Sequence, residues 1–327
     1  MGFNLARGLR LLALSAIGFT LLLTAAALWI GVAEVWAHLR ALSLPLLLAI
    51  LGLSLVDYAI RALRWQMLCR HIGLEVLLGR NTLYYLAGFA LGMTPGKIGE
   101  ALRLWLLRRH HAAAYERTAG LFLMDRITDA LPLFLLCLIG AWGFVGAYGW
   151  AIAAMGLVLI AITALILAPG LAVPLVKGAY GAVGRAERPF AKVLALLRHL
   201  RAFREPRLFG LACAMGLVGW LAEIWGVHLL LTALGVPIGF TEAAFVFAFA
   251  LLVGAIPIFP GGIGGTEAAM VATLNALGVP LETAVVATAV TRFATLIFGT
   301  LVGLVALPAA LAAPRATAQA ALIAPRT

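Results

Sequence analysis

The sequence predicts an all-α polytopic membrane protein: six full transmembrane helices plus two re-entrant helical hairpins, arranged as an inverted-topology repeat. Three observations carry that reading: the apolar composition, the segregation of Lys and Arg among the loops, and a Pro-Gly motif that occurs twice. Of 327 residues, 64% are apolar and 11% charged, with mean hydropathy +1.07, against about 25% charged and 45–50% apolar in a soluble domain. At ~20 residues per crossing, this allows up to about ten membrane segments. A soluble fold is excluded. So is a soluble enzyme on one anchor, since the longest charged stretch, residues 171–207, is too short for a catalytic domain. The chain reads as one domain over 1–327, with a first repeat over 44–140, a basic linker over 171–207 and a second repeat over 208–307.

The first helix is placed at residues 10–36. Arg7 and Arg10 precede it, and its apolar run exceeds the roughly 7–15 residues of a signal peptide. Further full-length spans follow at 44–65, 118–140, 150–168, 208–231 and 281–307. Two shorter apolar pieces, 81–94 and 98–109, lie between the second and third spans. Another two, 241–257 and 263–277, lie between the fifth and sixth. Within the linker, Phe190, Val193, Leu194, Leu197 and Leu200 recur at helical spacing after Pro189. That pattern fits a basic helix on the inner leaflet, with a solvated connector as the alternative.

The net charge of +11 comes from 24 Lys/Arg against 13 Asp/Glu. In so apolar a chain this reflects the cytoplasmic bias of Lys and Arg and their attraction to anionic headgroups, not nucleic acid. Basic residues crowd the segments before the first span, between the second and third, and in the linker. The connections 141–149 and 232–240 have none. Both termini are therefore placed in the cytoplasm, and the expected location is a bacterial inner membrane. Cys69, Cys137 and Cys213 are far apart, with no disulfide framework and no C-x-x-C metal pair.

Pro95-Gly96-Lys97-Ile98-Gly99-Glu100 reappears as Pro260-Gly261-Gly262-Ile263-Gly264, with Glu267 soon after. Arg126 follows Glu100 at nearly the spacing by which Arg292 follows Glu267. A unit of helix, broken pair and helix thus occurs twice. Three full spans separate its two starts, so the copies run in opposite directions. That architecture belongs to transporters with a substrate site at the repeat interface. The first pair's arms, about 14 and 12 residues, rise roughly 21 and 18 Å at ~1.5 Å per residue, short of the ~30 Å hydrocarbon core. The reading is a hairpin entering from the cytoplasm, with the second entering from outside. Two ordinary Pro-kinked helix pairs are the alternative.

At each tip, proline ends one arm and glycines turn the chain. A new helix then begins with unpaired N–H groups, which attract anions. Pro95, Gly96, Lys97, Gly99 and Glu100 form one such start, and Pro260, Gly261, Gly262, Gly264 and Glu267 the other. Glu100 and Glu267 also suit simple capping. Asp57, Asp125, Arg126, Asp129, Glu223 and Arg292 fall within spans, where ionisable groups are costly, pair with one another and mark pathways. The repeat suggests Arg126 with Glu100 and Arg292 with Glu267. Arg64 and Arg103 are placed at the inner interface, to meet lipid phosphate or to snorkel. Asp125-x-x-x-Asp129 also admits Mg²⁺ binding in a membrane-embedded lipid transferase. The histidines lie mostly in loops, with His110-His111 expected at the surface.

At Arg61-x-x-Arg64-Trp65, the stretch 93–103, Asp125-Arg126-x-x-Asp129 and the stretch 260–267 with Arg292, the chain resembles the lysylphosphatidylglycerol synthase transmembrane-domain family, flippase-like integral membrane proteins. The resemblance covers nearly the whole chain. In multiple-peptide-resistance proteins this domain is held to move aminoacylated phosphatidylglycerol between leaflets, beside a soluble aminoacyl transferase. The sequence ends after its last span, so no transferase and no aminoacyl-lipid synthesis is expected. Relatives of this length also resemble proteins associated with hopanoid biosynthesis. The resemblance implies a lipid flippase, with membrane lipids bearing anionic headgroups as partners; no cofactor and no metal is expected. A non-transporting partner of a lipid- or hopanoid-modifying enzyme is the further alternative.

Overall fold

The computed structural model describes residues 5–30, 40, 42–94, 98–141, 145–167, 173–174, 176–178, 203, 205–256 and 262–312. Their elements are α1 (Leu5–Ile30), α2 (Leu44–His71), α3 (Leu78–Ala87) with a 3₁₀ turn (Gly88–Leu91), α4 (Ile98–His111), α5 (Tyr115–Gly140), α6 (Val145–Leu167), α7 (Pro206–Ala233), α8 (Phe240–Gly254), α9 (Gly265–Ala276) and α10 (Leu281–Arg292). A π-helical segment (Phe293–Ile297) then leads into α11 (Phe298–Leu311). No strand occurs among the described residues. The predicted amphipathic run over 189–200 lies outside them, as do residues 31–36 of the first predicted span.

Among the described residues, Leu44–His71, Pro206–Ala233 and the continuous Leu281–Leu311 are each long and apolar enough to cross a bilayer. The protein is a membrane protein. α5 is as long as α1, 26 residues each, but carries Asp125, Arg126 and Asp129 in its middle. α2 runs on to His71, past the predicted end at 65. Arg61 and Arg64 do not mark a water interface there; they are paired inside the protein, and the helix continues through them.

Three helices stop in the same way. Gly73, Gly235 and Gly278 adopt φ of +68°, +73° and +81°. After each, an N–H reaches back into the last turn: Leu74 to Cys69 O at 2.9 Å, Val236 to Leu231 O at 2.9 Å, Val279 to Leu274 O at 3.1 Å. The left-handed glycine satisfies carbonyls the helix leaves unpaired and folds a buried side chain under its end. At the other end of α2, Ser43 Oγ accepts from Leu46 N at 3.4 Å, and Pro45 suits the first turn.

α2 packs along α7. α8 packs on α5 and on α9, while α11 packs on α3 and the 3₁₀ turn. The pattern is reciprocal: α2 and α7, which precede the two Pro-Gly motifs, meet, while α8 lies on α5 and α3 lies on α11. Lipid offers little hydrophobic drive between apolar helices, so close approach at small residues matters. A β-carbon at Gly140 would overlap Thr241 O of α8, and one at Gly303 would overlap the Phe89–Ala90 backbone. One at Gly216 would overlap Thr128 O. Gly303→Ala is therefore expected to cost about 1–3 kcal/mol in thermal unfolding. Gly210→Ala, with open space around it, should be neutral or gain up to about 1 kcal/mol.

Among the described residues three apolar clusters form, and α5 joins the two larger ones. One of these gathers Trp65, Tyr85, Leu102, Leu121, Met124 and Leu307; the other gathers Cys137, Ile224, Phe245, Phe247, Met270 and Ala287. The charged segment of α5 falls between them.

Candidate functional site

The site begins with proline. Pro132 lies inside α5 and has no N–H to give the carbonyl four residues back. That carbonyl, Thr128 O, accepts instead from Arg64 Nη1 at 3.3 Å. The neighbouring Asp129 O accepts from Trp220 Nε1 at 2.8 Å. Side chains from α2 and α7 thereby complete the backbone of α5, as a low-dielectric setting requires.

Around this point lies a buried ion network. Arg64 is fully buried; its Nη2 donates to Asp125 Oδ1 at 2.9 Å and to Asp129 Oδ1 at 3.0 Å. Arg61 Nε donates to Asp57 at 2.6 and 2.8 Å, and its Nη1 to Asp129 at 2.6 and 2.7 Å. Arg126 Nη2 donates to Asp125 Oδ2 at 2.7 Å. Arg103 Nη1 stands 3.7 Å from Asp125 Oδ2, with its guanidinium 3.7 Å above the Tyr85 ring. Each carboxylate lost from water is met by charge-assisted donors, without which such burial would cost several kcal/mol per ion.

Arg64 is therefore not at the interface and meets no lipid there; three partners hold it in the interior. Arg103, 2% exposed, is not interfacial either, because the aromatic Tyr85 and the Asp125 charge draw it inward. His110, expected at the surface, is buried and stacks on Tyr84. An Mg²⁺ site on Asp125 and Asp129 does not fit, since guanidinium donors already engage both oxygens of each carboxylate.

The second repeat supplies a simpler pair. Gly262 and Gly264 take φ of +78° and +87° in the turn before α9. Glu267 Oε2 accepts from Gly264 N at 2.7 Å, capping that helix, while its Oε1 accepts from Arg292 Nε at 2.5 Å. Glu267 thus performs the capping role and makes the pair the repeat suggests. Arg126 reaches Asp125 and Asp129; its suggested pair with Glu100 falls on a side chain outside the described set. Gly99 and Glu100 fall in the first turn of α4, with the Glu100 side chain outside the described set. Pro95, Gly96, Lys97, Pro260 and Gly261 also lie outside it, and with them both Pro-Gly tips.

A cavity of about 400 Å³ opens beside the network. Its wall draws on both repeats: Tyr58, Arg61, Tyr85, Phe89, Arg103, Arg126 and Asp129 from the first, and Trp220, Glu223, Phe247, Leu252, Arg292 and Thr295 from the second. Arg103 Nε and Nη1 and Arg292 Nη2 are buried without a hydrogen-bond partner among the described residues. These cations have donors to spare at an apolar-walled cavity, an arrangement that receives an anion. The π-helical segment borders the same space, and Tyr58 Oη donates to Thr295 O at 3.1 Å. Asp125 and Arg64 stand behind the wall and hold it.

The site-residue set drawn from the sequence omitted Arg61, Tyr58, Tyr85 and Trp220. Asp57 and Arg61 stand at the four-residue spacing of a helical ion pair, which could have flagged Arg61. The aromatic residues carried no local signal.

The family model described as lysylphosphatidylglycerol synthase TM region matches residues 12–303. A UPF0104 membrane protein of Methanothermobacter thermautotrophicus is 27% identical over 311 residues, covering 88% of this chain and 91% of the relative. A UPF0104 membrane protein of Pyrococcus horikoshii is 26% identical over 308 residues, covering 84% and 90%.

Proposed function

Because the chain belongs to the lysylphosphatidylglycerol synthase TM region family, we propose that it moves a phospholipid or related amphiphile between leaflets, passing the anionic headgroup through the cavity between its two repeats. One observation carries this reading: buried Arg103 and Arg292 hold unused donors at a cavity bounded by both repeats. Phe89, Phe247, Leu251, Leu252 and Leu296 supply its apolar wall, beside which acyl chains stay in lipid. The reciprocal packing of α8 on α5 and of α3 on α11 supports six spans with two re-entrant hairpins in inverted orientation. In that arrangement such a cavity sits near the bilayer midplane. The membrane is a cytoplasmic one with both termini inside; the relatives named above are archaeal, so the expectation of a bacterial inner membrane is widened accordingly.

The test is leaflet exchange of a fluorescent phosphatidylglycerol in vesicles containing the purified protein. Exchange well above that of protein-free vesicles is expected. Equal rates would reject the reading.

A further inference from the structure

Glu223 differs from the other carboxylates of the interior. Asp57, Asp125, Asp129 and Glu267 each accept from a guanidinium. Glu223, 5% exposed on the cavity wall, accepts from Ser54 Oγ at 3.2 Å, with no arginine within ion-pair distance among the described residues. Around it, α2 presents Asp57, Tyr58 and Arg61. α5 presents Asp129 and Arg126 to the same cavity, α10 presents Arg292, and α8 only apolar side chains. Tyr58 is already spent on Thr295 O. A carboxylate without a counter-ion in such a place is costly as an anion and far cheaper as an acid. Its partner suits both forms, because a hydroxyl donates to a carboxylate and accepts from a carboxylic acid.

We propose that Glu223 is a proton-binding site that couples the passage of an anionic headgroup to a proton. This rests on the function proposed above and adds the coupling ion. A proton from the aqueous phase neutralises Glu223, leaving Arg103 and Arg292 to face the phosphate without a nearby uncompensated negative charge. The proton then leaves to the opposite compartment with the lipid. Linkage makes the effect mutual: the proton favours the headgroup as much as the headgroup favours the proton. One proton carried with one anionic lipid makes the step electroneutral.

The experiment uses the full chain in vesicles with an imposed pH difference and labelled phosphatidylglycerol. One-to-one coupling predicts about tenfold accumulation per pH unit, in the leaflet facing the more alkaline compartment. E223Q should relax toward an even distribution. A second readout needs no transport: in the purified protein, a protonated-carboxyl infrared band should grow on acidification and be missing from E223Q. If E223Q exchanges no lipid, that band decides. Wild-type exchange with an even distribution under the gradient would overturn the coupling while leaving the flippase reading intact. A wild-type band identical to that of E223Q would overturn it as well. A preference for amine-bearing headgroups with no proton response would make Glu223 an ammonium site instead. Absence of exchange by the wild type would fail the underlying reading, and the coupling with it.

Discussion

Replacing Arg64 by alanine is expected to destabilise the protein by about 3–5 kcal/mol, the cost of breaking a buried ion pair from one side. Arg64 is fully buried and serves Asp125, Asp129 and the carbonyl that Pro132 leaves open. Its loss strands two charges and a backbone acceptor between the two larger apolar clusters. Arg64→Lys should recover only part of the stability, because a single ammonium cannot reproduce the planar fork that reaches all three. Thermal unfolding in detergent or nanodiscs measures this. A loss under about 1 kcal/mol would mean that the network is dispensable for the fold.

Arg103→Gln is expected to slow leaflet exchange of phosphatidylglycerol by about tenfold to a hundredfold. That range corresponds to losing one charge-assisted contact of about 1.5–3 kcal/mol. Its guanidinium rests on Tyr85 with Nε and Nη1 unsatisfied at the cavity, whereas every guanidinium nitrogen of Arg64 is engaged. The two substitutions therefore separate: Arg64→Ala acts on stability, Arg103→Gln on transport. Arg108→Gln, exposed and stacked on Tyr115, should leave exchange unaltered. Exchange rates measured on folded, reconstituted variants decide the matter.

Much of this was legible before any coordinates. Apolar run length located α2, α5, α6, α7 and the final helix, because a lipid environment forces backbone pairing within each segment. The duplicated Pro-Gly motif falls between the 3₁₀ turn and α4 and between α8 and α9, and the shared spacing anticipated Glu267 with Arg292. Partner choice among arginines was not legible. Arg64 lies on α2 near what reads as a helix end, and only the packing of α2 on α5 and α7 shows that its partners are Asp125 and Asp129. Likewise, the use of Thr128 O by Arg64 requires seeing that Pro132 frees it and that Gly216 lets α7 come close enough to close the site. Such contacts join residues far apart in sequence, and no local period records them.

The central claim, that lipid headgroups pass through the shared cavity, is tested most directly at Thr295, which lines it from the π-helical segment. In a background lacking Cys69, Cys137 and Cys213, Thr295→Cys would be reconstituted and modified with a bulky water-soluble thiol reagent. The account predicts that exchange stops in proportion to the modified fraction and returns when the adduct is reduced off. Full modification with exchange running at its original rate would contradict it.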